Sequence, residues 1–128
     1  MPDKSSSGGM RELVISPDVV ADFTAMPFAD ESFALVVFDP PHFRRNGEKS
    51  WCGLKYGTLA MGWEAQFRKG FAECFRVLRP DGVLIFKWCE SDIPLAKVLA
   101  LTPELPLFGN KNPRRSGTHW VTFMKAPA

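Results

Sequence analysis

Several absences narrow what this chain can be. No apolar run approaches the roughly 20 residues of a membrane span, and the opening stretch MPDKSSSGG has no apolar core of a signal peptide. A cytoplasmic protein is therefore expected. The cysteines are Cys52, Cys74 and Cys89, an odd number with no Cys-x-x-Cys or Cys-x-x-His spacing. Neither a disulfide framework nor a zinc site fits that pattern, and reduced thiols are expected. The formal net charge of +2 is too small to argue by itself for nucleic acid or a membrane surface. No internal repeat is visible.

What is present fits one domain. A chain of 128 residues can bury a core without staples, and 45% hydrophobic with 23% charged residues is ordinary for a globular protein. The positive charge is uneven. Arg44, Arg45, Lys49 and Lys55 fall in one stretch, and Lys111, Arg114 and Arg115 in another. They read either as two solvated loops or as a phosphate-facing rim around one site.

Residues 1–12 read as a flexible tail, Ser/Gly-rich at its start, and residues 13–128 as a single domain. Leu13-Val14-Ile15 is a short apolar run ended by Ser16-Pro17. Residues Asp18 to Phe23 read as a strand ending on an acid. Residues Phe33 to Phe38 form a continuous apolar run, the pattern of a strand buried on both faces. Residues 39–62 carry prolines and glycines and read as a long irregular loop. From Trp63 to Leu78 the period is helical, with Trp63, Phe67, Phe71, Cys74, Phe75 and Leu78 on one stripe. Arg79-Pro80-Asp81-Gly82 turns the chain into a second buried strand, Val83 to Trp88. Ser91 or Asp92 is placed to cap a short helix carrying Leu95, Val98 and Leu99. Leu105 to Phe108 is a short strand candidate. Thr118 to Lys125 alternates, with Val121 and Phe123 on one side and Trp120, Thr122 and Met124 on the other. The two last strands suggest an antiparallel pair.

Strand–helix–strand order with buried strands predicts an α/β fold: an open, mostly parallel sheet with helices on its faces. Ligands of such sheets sit at the carboxyl ends of the strands, where Asp22, Asp39 and Lys87-Trp88 all fall. The rigid turn Asp39-Pro40-Pro41-His42 is the strongest candidate site. Its prolines fix φ and hold the adjoining carbonyls in place.

Three segments carry a family resemblance. Val20-Ala21-Asp22-Phe23 with Met26-Pro27-Phe28-Ala29-Asp30-Glu31-Ser32-Phe33 resembles the "D…LPF.D.SFD" segment of class I SAM-dependent methyltransferases. Leu35-Val36-Val37-Phe38-Asp39-Pro40-Pro41-His42 resembles their fourth strand and motif IV. Phe75-Arg76-Val77-Leu78-Arg79-Pro80-Asp81-Gly82 resembles their "R.LKPGG" helix–turn–strand. From about Pro17 onward the chain is similar to small methyltransferases often carried by phages and prophages. The resemblance implies a Rossmann-like sheet comprising strands three to seven only. The Gly-rich SAM loop expected upstream of Asp22 has no counterpart, since Gly8-Gly9 lies in a Ser-rich stretch.

By the same resemblance, the cofactor is S-adenosyl-L-methionine (SAM). Asp22 would accept a hydrogen bond from its adenine amine, and the Phe23 backbone amide would meet a ring nitrogen. Asp39 and the Pro40 carbonyl region would orient a target amine. His42 stands where the family has Tyr, Phe or Trp, and would stack with Phe43 on a planar acceptor such as a nucleic-acid adenine. Arg44, Lys55 and Tyr56, with Trp51 nearby, would form a substrate lid, or a satellite cluster under a loop. Lys87 could meet the cofactor carboxylate or a phosphate, or be a plain strand-end lysine. His119 reads as structural. The functions that follow are a SAM-dependent nitrogen methyltransferase or its C-terminal portion, a catalytically inactive relative serving as a binding module, or an incomplete product. An exposed sheet edge would favour self-association or a partner chain.

Overall fold

The computed structural model describes residues 2–6, 9–12, 16–42, 61–111 and 117–128. Helix α1, Trp63–Val77, begins after Gly62, whose φ of 79° suits a residue without a Cβ. Of the expected stripe, Trp63, Phe67, Phe71 and Cys74 are buried and Phe75 is half-buried, and Gly70 and Val77 are buried beside them. Its last carbonyls do not point into solvent. Glu31 N–H donates to Arg76 O and Ser32 N–H to Val77 O, which ties the helix end to the chain entering the sheet.

The earlier strands are β1, Pro2–Ser6, and β2, Gly9–Glu12, followed by β3, Phe33–Phe38. After α1 come β4, Leu78–Cys89, helix α2, Leu95–Leu99, and strands β5, Phe108–Lys111, and β6, Thr118–Met124. β1 and β2 pair antiparallel as a separate two-stranded ribbon, in the stretch read from the sequence as a tail. The main sheet has the order β3-β4-β6-β5. β3 and β4 run parallel with α1 as their crossover, whereas β4–β6 and β6–β5 are antiparallel.

Several expectations are corrected. The sheet is mixed and not mostly parallel, because just one of its ladders is parallel. Asp18 to Phe23 is not a strand. Asp22 closes a tight turn instead, with its carbonyl accepting from Ala25 N–H and its carboxylate from Thr24, while Val20 is 88% exposed. α2 is not capped by Ser91 or Asp92, since its first amide, Leu95 N–H, donates to Glu90 Oε2 at 2.9 Å. The late strand begins at Phe108 and not at Leu105, after Pro106, although Leu107 N–H already bonds Thr122 O. β4 also starts five residues before the expected Val83. The Arg79–Gly82 turn lies inside it as a register irregularity, with Asp81 at φ 62°.

The core lies on one face of the sheet. Leu84, Phe86 and Trp88 of β4 and Val121 and Phe123 of β6 point to α1 and are 0–2% exposed. Aromatic rings dominate it. Phe71 meets Phe38 at 5.4 Å and Phe86 at 5.1 Å edge-on, and Phe67 meets Trp88 at 5.7 Å. Such pairs add about 0.5–1.5 kcal/mol each beyond burial. Ile93 and Val98 extend the same cluster, and Trp88 Nε1 donates to Ile93 O at 2.9 Å. Helices on both faces were expected. Among the described residues the second face, with Leu35, Val37, Trp120 and Met124, is open instead.

Candidate functional site at the carboxyl ends of β3 and β4

Phe38 and Asp39 mark where β3 leaves the sheet. Alternation sends Phe38 into the core and Asp39 the other way. Phe38 is pinned by rings on all sides: Phe23 at 5.5 Å, Phe67 at 6.0 Å, Phe71 and Phe86. The carboxylate following it is therefore delivered by a rigid strand end. Pro40 is buried, Pro41 half-buried, and His42 lies edge-on to Trp88 with ring centroids 6.0 Å apart.

The electrostatics of this lip are local. Asp39 Oδ2 lies 3.9 Å from Lys87 Nζ, a loose pair with both side chains over a third exposed. Lys87 also sits over the Trp120 ring, 5.3 Å from its centroid. Burial pushes the His42 imidazole below its ordinary pKa; Asp39 opposes that shift and Lys87 reinforces it. Burial thus favours the neutral form of the His42 ring.

The Asp22 corner is held against α1 and Phe38 by packing rather than by strand pairing. The Phe23 ring contacts Phe38 and Phe67 and fills the notch left by Gly70, where a Cβ would meet it at 2.6 Å. Asp22 Oδ1 accepts from Thr24 N–H at 2.9 Å and Thr24 Oγ1 at 2.7 Å. Those bonds, the backbone one first, hold its carboxyl below the usual carboxylate range. An exposed, ionised acceptor results.

The structure places Asp39, Pro40, Pro41, His42 and Lys87 at the carboxyl ends of β3 and β4, while Phe23 packs on Phe38 and Asp22 stands on the exposed turn before it. Phe43, Arg44, Lys55 and Tyr56 lie outside the described residues, as do Trp51, Arg114 and Arg115. Sequence reasoning missed two polar assemblies. The first joins Glu73 and Arg76 of α1 to the Met26–Asp30 loop. Arg76 stood inside the "R.LKPGG" resemblance, a signal that was there to be used. The second joins His119 Nε2 to Glu90, whose other oxygen holds α2 and whose N–H donates to Gly117 O. It gives His119 the structural role expected of it. Cys74 is a core filler whose thiol burial pushes up to about 12, so it is inert. No cluster of three or more His, Cys, Asp or Glu occurs among the described residues, and no helix there is long and apolar enough to cross a membrane.

No family model matches the chain. Over 74 residues it is 31% identical to malonyl-[acyl-carrier protein] O-methyltransferase 1 of Coxiella burnetii, a match spanning 58% of this chain and 20% of that protein. Among solved structures, one similar fold is that of a Thermus thermophilus protein, a candidate DNA modification methylase complexed with SAM. The TM-score is 0.52 at 17% identity, covering 85% of this chain and 54% of that one. Another is a SAM-dependent methyltransferase of Leishmania major, with a TM-score of 0.53 at 17% identity, covering 92% and 47%. The chain spans a fifth of the curated relative and about half of each structural neighbour. It is related in sequence to a methyltransferase, and its mixed α/β sheet has the fold of part of such enzymes.

Proposed function

We propose that this chain is a SAM-dependent methyltransferase, or the C-terminal portion of one, acting on a nitrogen of a planar acceptor, with a nucleic-acid adenine as the favoured class. One observation carries the reading: Asp39 stands at the carboxyl end of a parallel strand, where such sheets bind ligands, and Phe23, next to Asp22, packs on Phe38 of that strand end. The SAM and methyltransferase descriptions of the neighbours support it, and the nucleic-acid class draws on the Thermus neighbour.

The residues present fit the cofactor at its adenine end. Asp22 offers an ionised acceptor to the exocyclic amine, on a corner held by the Phe23 ring. Among the described residues no glycine-rich loop faces its other end. Bound there, SAM would supply an electrophilic methyl group. The work of the chain is positional. Asp39 accepts a hydrogen bond from the acceptor amine and aims its lone pair. Pro40 and Pro41 stop the adjoining carbonyls from swinging away. Neutral His42 stacks on the acceptor ring.

Lys87 favours a second reading. A cation 3.9 Å from Asp39 competes with an amine for that carboxylate and suits a binding module without catalysis. Its pairing over Trp120 makes a cation–aromatic surface fit for a phosphate and a base. Association through the outer edge of β3, which carries no ladder among the described residues, belongs to either reading.

Titration calorimetry with SAM and S-adenosylhomocysteine (SAH), followed by radiolabelled methyl transfer to an adenine-containing oligonucleotide, tests the proposal. Saturable binding lost in Asp22→Ala and transfer lost in Asp39→Ala are expected. A folded chain that binds oligonucleotide but neither cofactor form selects the second reading.

A further inference from the structure

The loop between the Asp22 corner and β3 is held by two side chains of one helix turn. Glu73 Oε1 accepts from Met26 N–H at 2.9 Å. Arg76 spends its donors on four acceptor groups. Nε and Nη2 go to Glu73, Nη2 also to Met26 O at 3.0 Å, and Nη1 to Phe28 O at 2.8 Å and Asp30 Oδ1 at 2.8 Å. Each partner lies 46–50 residues away in sequence, Glu73 excepted. The hydrogen bonds to Arg76 hold the Glu73 carboxyl below the ordinary range and push the Arg76 guanidinium above its own, so both stay charged across the neutral range.

We propose that Arg76 and Glu73 are positioning residues for Asp22, which rests on the methyltransferase reading and deepens it. The corner from Asp22 to Met26 is anchored at both ends on α1. At one end the Phe23 ring sits in the Gly70 notch, and at the other Met26 is gripped by Glu73 and Arg76. Between them, the Thr24 and Ala25 amides close the turn onto Asp22 itself. α1 also packs on Phe38 through Phe67 and Phe71. The helix therefore fixes Asp22 relative to Asp39 before any ligand arrives. A planar guanidinium alone can serve several diverging acceptors, because a lysine ammonium has three donors on one atom.

Amide hydrogen exchange and paired ligand titrations test this in Arg76→Lys, Glu73→Ala and Glu73→Gln. Exchange at Ala25 and Met26 should quicken about tenfold or more in Arg76→Lys and Glu73→Ala, with Leu84 and Phe86 unchanged. Glu73→Gln, which keeps the acceptor for Met26, should restore most of the protection. In the titrations, wild type should prefer SAH to its inosine analogue, which lacks the exocyclic amine. Arg76→Lys should lose that preference while staying folded. Unchanged exchange at Ala25 and Met26, or a preference retained in Arg76→Lys, overturns the assignment. If wild type binds neither ligand, the methyltransferase reading fails. The exchange data then decide by themselves whether the clamp holds the corner.

Discussion

The two faces of the sheet are built from similar residues and meet opposite fates. On the α1 side, Leu84, Phe86, Trp88, Val121 and Phe123 are 0–2% exposed. On the other, Leu35 is 58%, Val37 59% and Trp120 44% exposed. Apolar side chains contribute only where they leave water. Stability is thus concentrated in one aromatic layer. The open face carries instead the cation, acid and indole of the lip, Lys87, Asp39 and Trp120. One face holds the other in shape.

The largest effect expected from breaking this contrast is at Phe86. Phe86→Ala should cost about 3–5 kcal/mol in urea unfolding, whereas Val37→Ala should cost under about 0.5 kcal/mol. A similar loss at both would mean that the open face is covered in solution. Gly70→Ala comes next. Helix propensity predicts a gain of about 0.5–1 kcal/mol, but the new Cβ would meet the Phe23 ring at 2.6 Å. Overpacking of about 1–3 kcal/mol should win, giving a net loss in chemical denaturation. A stabilised variant would show that Phe23 is not seated there.

A smaller effect is expected with pH. His42 is held below its ordinary value of 6.5, so the folded state disfavours its protonation. Its contribution is complete above about pH 6.5 and is lost as the pH falls further below. Asp39, Asp92 and Lys87 are the charges acting on it. The melting temperature of wild type should drop on acidification from pH 7 to 5 more than that of His42→Phe, and parallel curves would remove His42 from the lip. The smallest effect is at Lys87. Its pair with Asp39 is exposed and long, so Lys87→Ala should change stability by about 0–1 kcal/mol. Cofactor or oligonucleotide binding should change more than folding does.

Local periodicity made much of the fold legible. The Trp63 stripe found α1 within a residue, and alternation separated Val121 and Phe123 from Trp120, Thr122 and Met124, the two sides that the fold buries and exposes. It failed at Asp18 to Phe23. An apolar stretch was read as a strand there, although Asp22 had a better partner in Thr24 two residues away. The antiparallel β5–β6 pair was legible, but the antiparallel β4–β6 ladder was missed because strand direction is set by where chain segments meet. Asp39 and its prolines were legible because a rigid turn is written in consecutive residues. The Glu73–Arg76 clamp was not, since its partners are brought together by the fold across nearly fifty positions.

By itself the sequence determined which segments are helix or strand wherever side-chain period and backbone chemistry agree, and it marked the Asp39 turn. The tertiary structure alone decided which apolar face is buried, that Asp22 stands on a clamped turn, and that Lys87 meets Asp39. The physical reason is range. Periodicity and proline geometry act within a few residues, whereas burial, ion pairing and ring packing depend on which distant segments the fold brings into contact.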